Sequence, residues 1–159
     1  MVLPVRDPLS ILGLSSSERV IQDLLKESGL TDAPRIKVGD IEARFAVKTK
    51  GFDLNFVPAQ LFDAGRPATD IVLGNIVFFG PEYAKYAYEP QAELPLGLSF
   101  AMTREQAVVA LGAPVQSWES DGFVRSQRWS VQQRNVSIQY SKLSATIKSV
   151  EFSLPKPTA

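Results

Sequence analysis

The stretch IEARFAVKTKGFDLNF constrains this chain most. Ile41, Ala43, Phe45 and Val47 alternate with Glu42, Arg44, Ala46 and Lys48. After the turn TKG, Phe52, Leu54 and Phe56 alternate with Asp53 and Asn55. A period of two puts every apolar side chain on one face of a β-hairpin and every polar one on the other. Such a hairpin is not stable alone. Its apolar face must be covered by another layer, and its polar face is left to water.

The covering layer is also written in the sequence. LSFAMTREQAVVALGAP sets Thr103 three residues before Gln106, the pattern of a capping box. Ala107, Val108 and Leu111 form an apolar stripe, Gly112 supplies a left-handed stop and Pro114 bars continuation. The predicted helix has only two to three turns, so it must pack on something. A looser version lies in ILGLSSSERVIQDLLKESGLTDAP. There Ser15, Ser16 and Ser17 offer caps, Glu18 sits in the first turn, Val20, Ile21, Leu24 and Leu25 make the stripe, and Gly29 and Pro34 end it.

Strands follow each helix. After the first hairpin, IVLGNIVFF at 71–79 reads as a more deeply buried strand. In the second half, a strand is expected within 124–131 with Trp129 and Val131 on one face. Beyond the polar turn QQRN, Val136, Ile138 and Tyr140 alternate with Ser137 and Gln139. A last strand carries Val150, Phe152 and Leu154 inward. The expected fold is therefore α+β. Two similar units stand in tandem, each a short helical segment on an antiparallel sheet of about three to four strands. The expected boundaries are 1–80 for the first unit, 81–96 for a Pro/Tyr-rich linker, 97–155 for the second unit and 156–159 for a tail. A single α+β domain with two unrelated helices is the competing plan.

Composition removes most chemistries. The chain of 159 residues has no cysteine and no histidine, and 17 basic side chains balance 17 acidic ones. There is no disulfide framework, no Ser-His-Asp or Cys-His site and no zinc site built on nitrogen or sulfur. Neither phosphate-loop nor dinucleotide glycine motif occurs, so no cofactor is expected. The charge balance gives no basic footprint for nucleic acid. MVLPVRDPLSILGL is broken by Pro4, Arg6, Asp7 and Pro8 and does not read as a signal peptide. No segment has the roughly 20 apolar residues of a membrane helix. The expectation is a cytoplasmic protein that contacts no membrane.

Carboxylates are the remaining acid–base candidates. Asp53, Asp63 and Asp70 could bind Mg²⁺ or act as a glycosidase pair. All three sit beside turn-forming residues, where Asp is common for backbone reasons, and we expect no enzyme. Asn135 in NVS reads as a turn residue. Tyr83, Tyr86 and Tyr88, set among Glu82, Lys85 and Glu89, suit a recognition surface, because tyrosine offers contact area and a hydroxyl at low entropy cost. They would equally cover the seam between two units. Trp118 and Phe123 bracket ESDG, read as a loop, and are either exposed anchors or a cap on the core.

The second unit, with LPLGLSFAMTREQAVVALGAP followed by RWSV, VSIQY and IKSVEF, resembles the small domain of BamE-type outer-membrane lipoproteins. Met102, Thr103, Leu111, Gly112, Pro114 and Trp129 carry that resemblance over about the last 65 residues. It implies a helix on an antiparallel sheet; the family's localisation and assembly role do not carry over with it, and a BamE-like envelope assembly or scaffold module is the alternative function. The lipoprotein signal and lipobox cysteine of that family are missing here. The duplicated plan is similar to β-lactamase inhibitory protein, a tandem-repeat inhibitor of similar length that is secreted and disulfide-bonded. The whole chain also resembles cytosolic immunity proteins of bacterial polymorphic toxin systems, which are small, soluble and often cysteine-poor. That resemblance implies a stoichiometric inhibitor of a cognate toxin protein. On that expectation the partner-binding residues are Tyr83, Tyr86, Tyr88, Glu82, Glu89, Asp63 and Asp70, the acids suiting a basic toxin cleft.

Overall fold

A computed structural model describes residues 7–48, 50–88 and 94–156, leaving aside the side chains of residues 85 and 86. The α+β character is present, with short helices on an antiparallel sheet of seven strands. In chain order the elements are α1 (Pro8–Ile11), α2 (Arg19–Glu27), β1 (Ala43–Val47), β2 (Phe52–Pro58), β3 (Ile71–Phe79), α3 (Arg104–Leu111), β4 (Gln116–Ser120), β5 (Phe123–Val131), β6 (Arg134–Tyr140) and β7 (Ile147–Ser153). Short 3-10 turns cover 59–61, 81–86 and 95–97. The strand order is β1-β2-β3-β7-β6-β5-β4. Each half contributes a meander, and the two meanders meet edge to edge through their last strands, β3 and β7.

The alternation in the sequence becomes rows across the sheet. One row on the covered face reads Val47, Phe52, Phe78, Val150, Ile138, Gln127. The next reads Phe45, Leu54, Ile76, Phe152, Val136, Trp129. Ile21, Leu24 and Leu25 of α2 and Ala107 of α3 pack on these rows in a hydrophobic cluster that runs through both halves. Phe78 and Phe152 meet edge to face across the seam at 5.9 Å.

The two helices begin differently. Thr103 and Gln106 form the expected capping box on α3. At α2 the serines do not cap. Glu18 is the N-cap residue, without a side-chain hydrogen bond, and the Ser15 hydroxyl instead donates to Asp70 at 2.7 Å. Of the expected α2 stripe, Ile21, Leu24 and Leu25 are buried and Val20 is exposed. In the second half, ESDG is not a loop. Gln116–Ser120 is a strand, and Asp121 and Gly122, both at positive φ, make the tight turn into β5. Phe123 packs against the core, whereas Trp118 on β4 is 43% exposed.

The segments before α2 and α3 repeat one arrangement. Residues 13–16 run beside the start of β3, where Gly13 N–H donates to Leu73 O at 2.9 Å and Ser15 bridges Val72. Met102 and Thr103 run beside the start of β7, where Ile147 N–H donates to Met102 O at 3.0 Å and Thr103 bridges Thr146. Each pre-helix segment thus pairs with its own half's last strand, at the point where the other half's strand has ended.

Residues 81–88 fold around the end of β3. Tyr83 packs on Phe79, ring centroids 4.8 Å apart, on one side of the sheet. Tyr88, only 1% exposed, packs against Phe52 and Phe78 on the other. Gly51, at φ +72°, allows this: a Cβ there would overlap the Tyr88 backbone. Among the described residues, no helix is long and apolar enough to cross a membrane.

Candidate functional site: the open face of the sheet

All three helices pack toward one face, and the polar half of each alternation forms the other. One row of that outer face reads Ala46, Asp53, Val77, Glu151, Ser137, Arg128, Gln116. The row above it reads Phe79, Ser149, Gln139, Ser126, Trp118. Seven strands at about 4.8 Å spacing make this face roughly 30 Å wide. Tyr83, packed on Phe79, stands at one end and Trp118 at the other.

A polar groove of about 300 Å³ lies where β1, β2, β3 and β7 adjoin. Its chemistry follows from which residues the register places together. Arg44 donates through Nε to Asp53 Oδ2 at 2.8 Å and through Nη2 to the same oxygen, so this buried carboxylate is paired. Asn55 donates to Glu42 Oε2 at 2.6 Å. Asn55 is only 7% exposed, and its Oδ1 has no partner. Glu151 lines the same groove from β7. Burial raises its carboxyl above the usual glutamate range, and the negative charge of Glu42 raises it further. Phe79, Tyr83 and Val77 supply apolar wall. Lys148 Nζ stands 5.5 Å from the Tyr83 ring centre, at the rim.

The residues expected to bind a partner are not brought together. Tyr83 is half-buried on the groove wall, and Glu82 is exposed beside it on the 81–86 turn. The Tyr86 side chain and Glu89 lie outside the described residues. Tyr88 is a core residue: its ring fills the space between Phe52 and Phe78 and presents nothing to a partner. Asp63 caps its own loop, accepting from Gly65 N–H at 3.0 Å. Asp70 accepts from Ser15 and from Arg66, and these donors, the Ser15 hydroxyl foremost, hold its carboxyl below the ordinary aspartate range. Asp63 and Asp70 precede the start of β3 while Glu82 and Tyr83 follow its end, roughly 30 Å apart along nine residues of strand. Asp53, at the far end of β2, is likewise distant from both, so the three aspartates share no site.

Glu42, Asn55 and Glu151 were not singled out from the sequence. Their signal was present in the alternation, which places Glu42 and Asn55 on the wet face. The pairing of β3 with β7, which adds Glu151, joins residues 70 or more positions apart and has no local signature. Compared with protein-family models, curated proteins and solved structures, the chain matches none of them.

Proposed function

We propose that this protein is a stoichiometric inhibitor, an immunity protein that binds and neutralises a cognate bacterial toxin domain in the cytoplasm. The outer face of the sheet is its contact surface. That face carries the proposal. It is largely polar, covered by none of the three α-helices, and bears the rings of Tyr83, packed on Phe79 from the 81–86 turn, and of Trp118. At roughly 30 Å by 20 Å it is on the scale of the ~800 Å² that one partner contributes to a standard interface. Backbone held in one continuous sheet offers side chains at fixed spacing, so little ordering cost accompanies binding.

The arrangement also supports a tandem plan, two helix-plus-meander units related by a two-fold axis between β3 and β7. The matching bridges, Ser15 to Val72 and Thr103 to Thr146, favour it because unrelated helices would have no reason to enter alike. On this plan the face is one surface made from two copies of a motif, as duplication of a small unit would give.

The test is co-expression with the product of the adjacent reading frame. A 1:1 complex on size exclusion, with protection from that product's toxicity, is expected. Failure of the two to co-elute, together with undiminished toxicity, would remove the proposal.

A further inference from the structure

The groove beside β1 and β2 has an unsatisfied chemistry of one sign. Its lining holds three carboxylates, Glu42, Asp53 and Glu151, against the single guanidinium of Arg44, a net charge of −2, with the Lys148 ammonium at the rim beside Tyr83. Arg44 is engaged by Asp53. This leaves Glu42 and Glu151 as like charges on opposite sides, with the Asn55 Oδ1 acceptor buried and unpaired between β1 and β3. A buried acceptor without a donor costs on the order of 1–3 kcal/mol, so a donor arriving there recovers that cost.

We propose that this groove receives the guanidinium of an arginine side chain of the partner protein, with Asn55 Oδ1, Glu42 and Glu151 as its acceptors. The inference rests on the inhibitor reading for the identity of the partner as a protein, but its chemistry is local to the groove. The charge balance selects a cation. Burial lifts the Glu151 carboxyl and repulsion from Glu42 adds to it; a positive group seated between the two acids offsets both. Among the described residues the acids do not converge as metal ligands do, so a compact divalent ion has no cage. A guanidinium suits separated acceptors better than an ammonium, because its five N–H donors spread in a planar fork. Val77 and Phe79 supply apolar surface for the methylene stem of the entering side chain.

The probe is the peptide acetyl-Gly-Arg-Gly-amide, titrated into the ¹⁵N-labelled protein and followed by NMR. Saturable shifts of the Asn55 side-chain amide and of the Val77 and Glu151 backbone amides are expected. The citrulline peptide, equal in shape but uncharged, should leave them unmoved, and the lysine peptide should bind several-fold more weakly. Glu42→Gln combined with Glu151→Gln should abolish the arginine shifts while the far-UV spectrum is retained. Equal responses to arginine and citrulline, equal binding of lysine, or shifts confined to another surface would overturn the proposal. In the complex with the adjacent-frame protein, the same double variant should raise Kd by about ten- to a hundred-fold. If that protein fails to co-elute while the arginine peptide binds as described, the inhibitor reading falls and the groove stands. If the complex forms, its Kd ignores the double variant and the peptide is inert, the groove falls and the inhibitor reading stands.

Discussion

Glu151 and Asp70 show how the same side-chain type acquires opposite stability behaviour from its neighbours. Glu151 faces Glu42 and Asp53 across the groove, with Arg44 occupied by Asp53, and its carboxyl is raised by burial and by Glu42. A raised carboxyl favours the protonated native form. Its contribution is fully present below the unfolded glutamate value of about 4.3 and is lost as pH rises through the native value. Ionising this side chain in the fold is a net cost. Glu151→Gln is therefore expected to raise the Tm at pH 7, with the gain shrinking toward zero near pH 4, by calorimetry across that range. Asp70 is lowered by the Ser15 hydroxyl and by Arg66. Its contribution is present above the unfolded aspartate value and is lost as pH falls through the native one. Ser15→Ala should cost about 1 kcal/mol at pH 7 and progressively less in acid. Urea melts at pH 7 and pH 3 check this; an equal loss at both would refute the charged hydrogen bond as its cause.

At the scale of elements, α3 and the β1–β2 hairpin give the clearest tests. The reciprocal bonds of Thr103 and Gln106 satisfy two amides that a two-turn helix otherwise exposes. Thr103→Ala should destabilise by about 1 kcal/mol, read as a lower urea midpoint at unchanged slope. Gly51 turns the hairpin at positive φ and lies against the Tyr88 backbone, so Gly51→Ala should cost about 2–4 kcal/mol through strain and overlap combined. These elements were legible because their signals are local. Alternation marked every inward residue of β2 and β6, and a capping box with a glycine stop marked α3. Failures came where two local signals competed. Asp121-Gly122 is a hairpin signature, yet the polar run ESDG masked the strand ahead of it. The triple serine suggested a cap, but its first member bonds instead to an aspartate 55 residues away. Tyr88 stood among charged and proline residues that left a recognition surface and a seam-covering role both open, and the aromatic pair it joins is assembled only by the sheet.

For the whole molecule, the seam decides cooperativity. β3 pairs with β7, Phe78 touches Phe152, and the hydrophobic cluster continues through both halves. The two halves should therefore unfold together. Both tryptophans, Trp118 and Trp129, lie in the second half, whereas far-UV circular dichroism reads the helices and strands of both. Coincident midpoints from fluorescence and dichroism are expected, and separated midpoints would show two independent units. The proposed partner surface was the part least open to sequence reasoning. A face is the product of register, and register across the seam is set by contacts remote in sequence. Trp118 marks its far end. Trp118→Ala should lower the Tm by only a few degrees, since the ring is 43% exposed on an edge strand, while weakening the proposed partner complex on the order of tenfold or more.

The edge-to-edge join also orders events during synthesis. The second half of β3, with Ile76 and Phe78, lacks one neighbour until β7 exists, and residues 80–146 must first be translated. At about 5–20 residues per second the ribosome leaves that strand half-paired for several seconds. During this interval nascent chains on one polysome hold identical sticky edges side by side. The chain's solubility in the cell thus depends on how fast its last strand emerges, and slow codons between the halves should increase inclusion-body formation without altering the finished protein.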